Sequence, residues 1–162
     1  MRLTRGTGTR VVVNDRLDVA LAAGADGIHL RSDSMPATSV RSIAPAGFII
    51  GRSIHSEREA TEVASSVDYL LAGTVWPSRS KAGDARLLGP DGLARIVTAG
   101  RAPVVAIGGV SADRVRDVAK AGAAGVAGIE LFMTPEAGGR DGCRAMPLAG
   151  LARSARETFG LT

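Results

Sequence analysis

Residues 22–30 read AAGADGIHL, and far downstream residues 120–129 read KAGAAGVAGI. Each phrase is a helix end, a tight glycine turn and the start of an apolar strand. Their recurrence marks a repeated βα unit, and it decides how the rest of the chain is read. Working outward from them, six short apolar runs appear at 11–14, 27–30, 47–53, 69–75, 103–109 and 125–132. Continuous Val/Ile/Leu runs bounded by glycine lack the alternation of a half-exposed sheet, so each predicts a buried strand.

Helical signals fill the gaps. Asp15 is placed to cap a helix over 16–23, with Asp18 in its first turn and Gly24 as its stop. Ser56-Glu57-Arg58-Glu59 has the form of a capping box ahead of 60–65. Further helices are expected over 91–98, over 112–120 behind Ser111, and over 147–159. Strand and helix alternate throughout, which predicts a parallel sheet with right-handed crossovers.

A full eight-unit barrel takes about 250 residues and a compact one about 200. The 162 residues and six strands therefore predict an α/β, TIM-barrel-like parallel (β/α) fold truncated to about six units. It is expected to form one domain over 1–162, with 134–147 a loop before the last helix. The two edge strands, 11–14 and 125–132, are expected to pair with each other, with another chain, or through self-association into a homo-oligomer.

Composition narrows the function classes. Hydrophobic residues make up 45% of the chain but aromatics only 3%, so the core must come from Val, Ile, Leu and Ala. The net charge of +4 is scattered arginine, with no basic block and no interleaved aromatics, which argues against nucleic-acid binding. Cys143 is the only cysteine, so no intrachain disulfide can form, which fits a reducing, cytoplasmic setting. No apolar run suggests a signal peptide or a membrane span.

The chemistry concentrates in residues 74–84, TVWPSRSKAGD. A strand breaks at Pro77 into two hydroxyls, two cations and a glycine hinge, which reads either as a solvated loop or as a cradle for an anion. Gly108-Gly109 precedes Ser111 and reads as a tight turn, or as backbone amides open to a phosphate. His29, in an apolar run, reads as a core or rim histidine. His55 is explained as well by capping or packing as by catalysis, and Trp76 as core or as a wall for a heterocycle. Cys143 has no neighbouring base to activate it.

Taken in order, VVVNDRLDVALAAGADGIHL, IIGRSIHS, GTVWPSRSK and PVVAIGGVSADRVRDVAKAGAAGVAGI resemble the thiamine phosphate synthase/TenI superfamily from about Thr9 to Phe132. The resemblance would correspond to the third through eighth strands of that family's barrel. It implies a transferase of thiamine biosynthesis that joins a hydroxymethylpyrimidine pyrophosphate to a thiazole phosphate and releases pyrophosphate with the aid of Mg²⁺. By position it implies that Asn14 contacts substrate, Asp15 holds the metal and Ser53 lies near the pyrimidine. Ser78, Ser80 and Lys81 would grip the pyrophosphate as the catalytic loop, and Gly109 and Ile129 would lie beside the thiazole phosphate.

Departures accompany the match. Where the family has a second metal aspartate this chain has Ser34, with Asp33 one residue earlier as the alternative ligand. Glu130 stands where the family places a phosphate-binding serine. A carboxylate about 4 Å from a phosphate oxygen costs on the order of 4 kcal/mol at an effective dielectric near 20. The family's first two βα units, with a Gln-x-Arg-x-Lys segment, are expected to be missing from these residues. A TenI-like thiazole tautomerase is the alternative activity, yet Thr74 occupies the position of that branch's acid–base histidine. A catalytically impaired phosphate-binding relic is the non-enzymatic alternative.

Overall fold

The computed structural model describes residues 2–4, 6–78, 87–129, 131 and 148–160. Strands β1 (Val12–Asn14), β2 (Gly27–Leu30), β3 (Ile49–Ile54), β4 (Tyr69–Ala72), β5 (Val104–Ala106) and β6 (Gly125–Val126) alternate with helices. The helices are α1 (Leu17–Ala22), α2 (Ala37–Ile43), α3 (Glu57–Val63), α4 (Gly89–Ala99), α5 (Val115–Lys120) and α6 (Leu148–Thr158). The strands form one six-stranded sheet in sequence order, and every neighbouring pair is parallel. Each crossover therefore returns to the adjacent strand, the winding of an α/β barrel wall. No helix among the described residues is long and apolar enough to cross a membrane.

Alternation along the strands separates two faces. Ile28, Leu30, Ile50, Ile54, Leu70, Ala72, Val104 and Ala106 are almost wholly buried and pack with Ala20, Val40, Ala60, Leu93, Ile96 and Val118 of the helices. Each fully buried Leu or Ile contributes about 1.5–3 kcal/mol, so this layer carries the fold. His29, Ser53, Tyr69, Leu71 and Val105 occupy the opposite, inner face and are only part-buried.

The strand starts are fastened by one recurring device. Asp26 and Asp68 sit just before β2 and β4, and their carboxylates accept the backbone N–H of Val11 (2.8 Å), which leads into β1, and of Ile50 (2.7 Å) in β3. Arg10 and Arg41 complete the pairs. The second copy of the repeated phrase has Ala124 here and keeps only the backbone bond, from its N–H to Val104 O at 2.7 Å.

Several expectations are corrected. Asp15 does not cap α1: it takes a left-handed φ of 58°, tolerable for an aspartate, and the N-cap is Arg16, with no side-chain cap bond. Ser111 does hold the N-cap position of its helix, which begins as a 3-10 turn over Ala112–Arg114, but its side chain makes no cap bond. The Ser56 capping box is present, with Ser56 Oγ accepting Glu59 N–H, while the Glu59 carboxylate takes His55 N–H. Helix α2 has no cap residue and a run of Thr, Ser and Val, so it left no helical signal in the sequence. The last strand is far shorter than 125–132. Ala127 N–H still reaches Ala106 O, but the chain after β5 turns at Gly108 and Gly109, both with positive φ, and among the described residues the ladder goes no further. β1 and β6 stand at the two edges and, among the described residues, do not pair with each other.

Gly51 lies in lateral register with His29 on one side and Tyr69 on the other. A Cβ there would fall 2.0 Å from the Tyr69 ring, so only glycine leaves the ring its place. Gly51→Ala should lower stability by about 1–3 kcal/mol, the usual cost of overpacking, read as a fall in the urea midpoint at unchanged m-value. An unchanged midpoint would show that the ring relocates freely.

Candidate functional site

The inner face and the C-terminal rim of the sheet define the candidate site. Beyond β3 and β4 lies a hollow of about 170 Å³ bounded by Ser53, His55, Leu71, Gly73, Thr74, Ser78, Ile107 and Gly108. A second, of about 80 Å³, continues along Ser78, Gly108, Gly109, Val110, Gly128 and Ile129. Ser78, Ile107 and Gly108 belong to both, so the two form one connected depression at the strand ends.

Close backbone packing shapes its floor. Val75 and Trp76 N–H groups donate to Ile107 and Gly108 carbonyls at 3.1 and 3.0 Å, laying the segment after β4 directly on the segment after β5. A Cβ on Gly109 would meet Pro77 O at 2.4 Å, and its φ of 63° suits glycine. Arg114 pins this turn, donating to Gly109 O at 2.7 Å while its guanidinium lies 5.1 Å from the Trp76 ring centroid. Trp76 is thus a rim residue held by a cation, and Ser111 serves Asp113, whose carboxyl its hydroxyl holds below the usual range.

His55 enters the hollow from the end of β3. Its Nδ1 bonds the Gly73 carbonyl oxygen, which can only accept, so Nδ1 carries a proton and Nε2 is the ring nitrogen left outside this bond. Deeper on the inner face, His29 Nδ1 lies 3.0 Å from the Tyr69 hydroxyl and His29 Nε2 lies 2.8 Å from Ser53 Oγ. The two rings stack with centroids 5.7 Å apart. These contacts bridge three strands because Gly51 supplies no side chain between them.

At the β1–β2 end, Asp15 is joined to the loop after β2. Ser34 donates its hydroxyl to Asp15 Oδ1, and Arg31 Nε lies 3.5 Å from Asp15 Oδ2. Arg31 also grips both Asp33 oxygens at 3.1 and 3.0 Å. Arg52 holds this loop by donating to the carbonyls of Ser32 and Met35. The donors at Asp15, Ser34 and Asp33 are all oxygens, the set a magnesium ion takes, and a single guanidinium already bridges the two carboxylates. No cluster of three or more metal-ligating side chains occurs among the described residues, so an ion here would depend on water and phosphate oxygens.

Of the residues singled out in the sequence, Ser53, Ser78, Gly109 and Ile129 line the connected depression. Asp15 and Asp33 meet through Arg31. Asn14 ends edge strand β1 in the same lateral register as His29. Ser80, Lys81, Glu130 and Cys143 lie outside the described residues. Sequence reading left His29, His55 and Thr74 without a functional place and did not single out Tyr69 or Arg114. Register is what reveals Tyr69, since His29, Gly51 and Tyr69 align only once the strands are paired.

Burial pushes the His29 imidazole below its ordinary value, opposed by the negative charge of Asp15. A histidine that protonates less readily when folded adds stability above the ordinary imidazole range near ~6.5 and loses it as the pH falls below, because the unfolded chain then binds more protons. Urea unfolding at about pH 7.5 and about pH 5.5 should show a drop in stability that is smaller in His29→Gln. Equal drops would assign the effect to other groups.

The profile of the thiamine monophosphate synthase family matches residues 1–132. The chain is 45% identical over 136 residues to the thiamine-phosphate synthase of Pyrococcus furiosus, covering 83% of this chain and 65% of the relative. It is 43% identical over 120 residues to the thiamine-phosphate synthase of Salinibacter ruber, covering 74% and 53%. The solved thiamine phosphate pyrophosphorylase from Pyrococcus furiosus superposes with a TM-score of 0.78 at 39% identity, over 98% of this chain and 71% of that one. The chain thus spans less than two thirds of the length of either curated relative. A parallel sheet wound in sequence order, a depression at its strand ends and a family match over most of the chain agree, and the chain belongs to the thiamine monophosphate synthase (TMP-TENI) family.

Proposed function

We propose that this protein is of the thiamine phosphate synthase type, binding a hydroxymethylpyrimidine pyrophosphate and a thiazole phosphate and joining them with release of pyrophosphate. The observation that carries the reading is the connected depression reached by Ser53, Ser78 and the Gly108–Gly109 turn. One end suits a heterocycle, between Leu71, Thr74 and Ser53. The other, walled by backbone at Gly108 and Gly109, suits a phosphate. In the reaction, the carbon–oxygen bond to pyrophosphate breaks and a carbon–nitrogen bond to the thiazole ring forms. Negative charge builds on the departing oxygen and must meet donors and cations.

Ser78, with Ser80 and Lys81 close behind it in the sequence, takes that role in the proposal, and Asn14 at the end of β1 contacts substrate. Asp15 and Asp33 would hold Mg²⁺, which supplies charge neutralisation at the pyrophosphate when bound. Arg31 must then release one or both carboxylates. Ligand linkage predicts that pyrophosphate with Mg²⁺ raises Tm, by about 2.7 kcal/mol of added stability at a hundredfold excess over Kd. Lys81→Ala should abolish the rise. An unshifted Tm in the parent protein would overturn this assignment.

A second reading, a TenI-like thiazole tautomerase, is favoured by one feature. Thr74 cannot shuttle protons, but His55 lines the same hollow and its bond to Gly73 uses Nδ1, not Nε2. If this reading holds, the protein should speed interconversion of thiazole phosphate tautomers, followed by proton NMR, and His55→Gln should cut the rate at least about a hundredfold. Equal rates in both proteins would dismiss it.

A further inference from the structure

The contacts of His29 determine the polarity of a neighbouring hydroxyl. The Tyr69 hydroxyl and Ser53 Oγ flank the two ring nitrogens at 3.0 and 2.8 Å, and a neutral imidazole has one donor and one acceptor. Two arrangements satisfy it. In one, Ser53 donates to Nε2 and Nδ1–H donates to Tyr69, which leaves the phenolic proton without an acceptor among the described residues on a part-buried face. In the other, Tyr69 donates to Nδ1 and Nε2–H donates to Ser53 Oγ. The one proton then left over belongs to Ser53, which borders the 170 Å³ hollow. An orphaned donor against a packed ring is costlier than a hydroxyl facing an open hollow that water or a ligand can reach. Burial raises the Tyr69 phenol and lowers the His29 imidazole, which keeps both groups in the neutral forms that either arrangement requires.

We infer that Tyr69 and His29 are positioning residues that fix the Ser53 hydroxyl as a hydrogen-bond donor into the hollow, matched to an acceptor atom in the plane of an aromatic nitrogen heterocycle. The polarity follows from the three side chains alone. Naming the heterocycle a pyrimidine rests on the proposed synthase reading. Gly51 is what makes the relay possible, because any side chain between β2 and β4 would part the two rings. Tyr69→Phe is the informative variant, since it keeps the ring over Gly51 and removes only the donor.

Two measurements test the inference separately. On protein labelled with ¹⁵N-histidine, with His29→Gln identifying the signals, two-bond proton–nitrogen correlations should show His29 as the Nε2–H tautomer. Tyr69→Phe should shift it toward a mixture. A dominant Nδ1–H tautomer in the parent protein overturns the relay whatever the protein's activity. Calorimetry with hydroxymethylpyrimidine pyrophosphate should show affinity reduced about five- to tenfold in Tyr69→Phe and in Ser53→Ala, as for one lost hydrogen bond. The double variant should lose no more than Ser53→Ala alone, because both changes delete one donor. Losses that multiply would also overturn the relay. If the parent protein fails to bind the pyrimidine compound while the Nε2–H tautomer and its dependence on Tyr69 are present, the relay stands and the synthase reading falls.

Discussion

The sheet of this protein is buried on one face and part-buried on the other, and the site depends on that asymmetry. Ile28, Leu30, Ile50, Ile54, Leu70 and Ala72 are sealed against the helices at 1% exposure or less. Because side chains alternate, sealing these residues sends His29, Ser53, Tyr69 and Leu71 to the inner face. A slip of one residue in any strand would exchange the two sets and bury imidazole and hydroxyl among aliphatic side chains. The hydrophobic layer is thus also what orients the polar groups.

Glycine governs how those groups meet. Lateral neighbours in a sheet stand about 4.8 Å apart, so residues on alternate strands are normally separated by the side chain between them. Gly51 removes that side chain and allows histidine, tyrosine and serine from three strands to share hydrogen bonds. At the rim, Gly108 and Gly109 let the segments after β4 and β5 touch through backbone alone. The result is a depression walled partly by main chain, a surface suited to phosphate oxygens and indifferent to side-chain charge.

The Asp15–Arg31–Asp33 group shows the opposite strategy, with charge stored in a folded loop. Arg31 neutralises two carboxylates while Arg52 fixes the loop by its carbonyls. Between the two regions, one rim of one sheet carries both acidic oxygens and a depression bordered by glycine backbone. The proposed transfer, with its phosphorylated leaving group, would draw on both.

Strand number, parallel winding and the family were legible in the sequence because each rests on local signals: apolar runs near six residues, glycine stops, and the Ser56 capping box. Ser53, Ser78, Gly109 and Asp15 could be named from motifs for the same reason. What the chain does not spell out are interactions between residues distant in sequence. Asp15 looks like a helix cap until folding brings Ser34 and Arg31 to its carboxylate, a competition of partners that no local pattern reveals. Tyr69 looks like one more strand residue until β2, β3 and β4 are set in register and the gap at Gly51 opens between it and His29. Strand identity is a property of neighbouring residues and their hydrophobicity. Register, and with it the direction in which Ser53 offers its proton, exists only after three strands have packed.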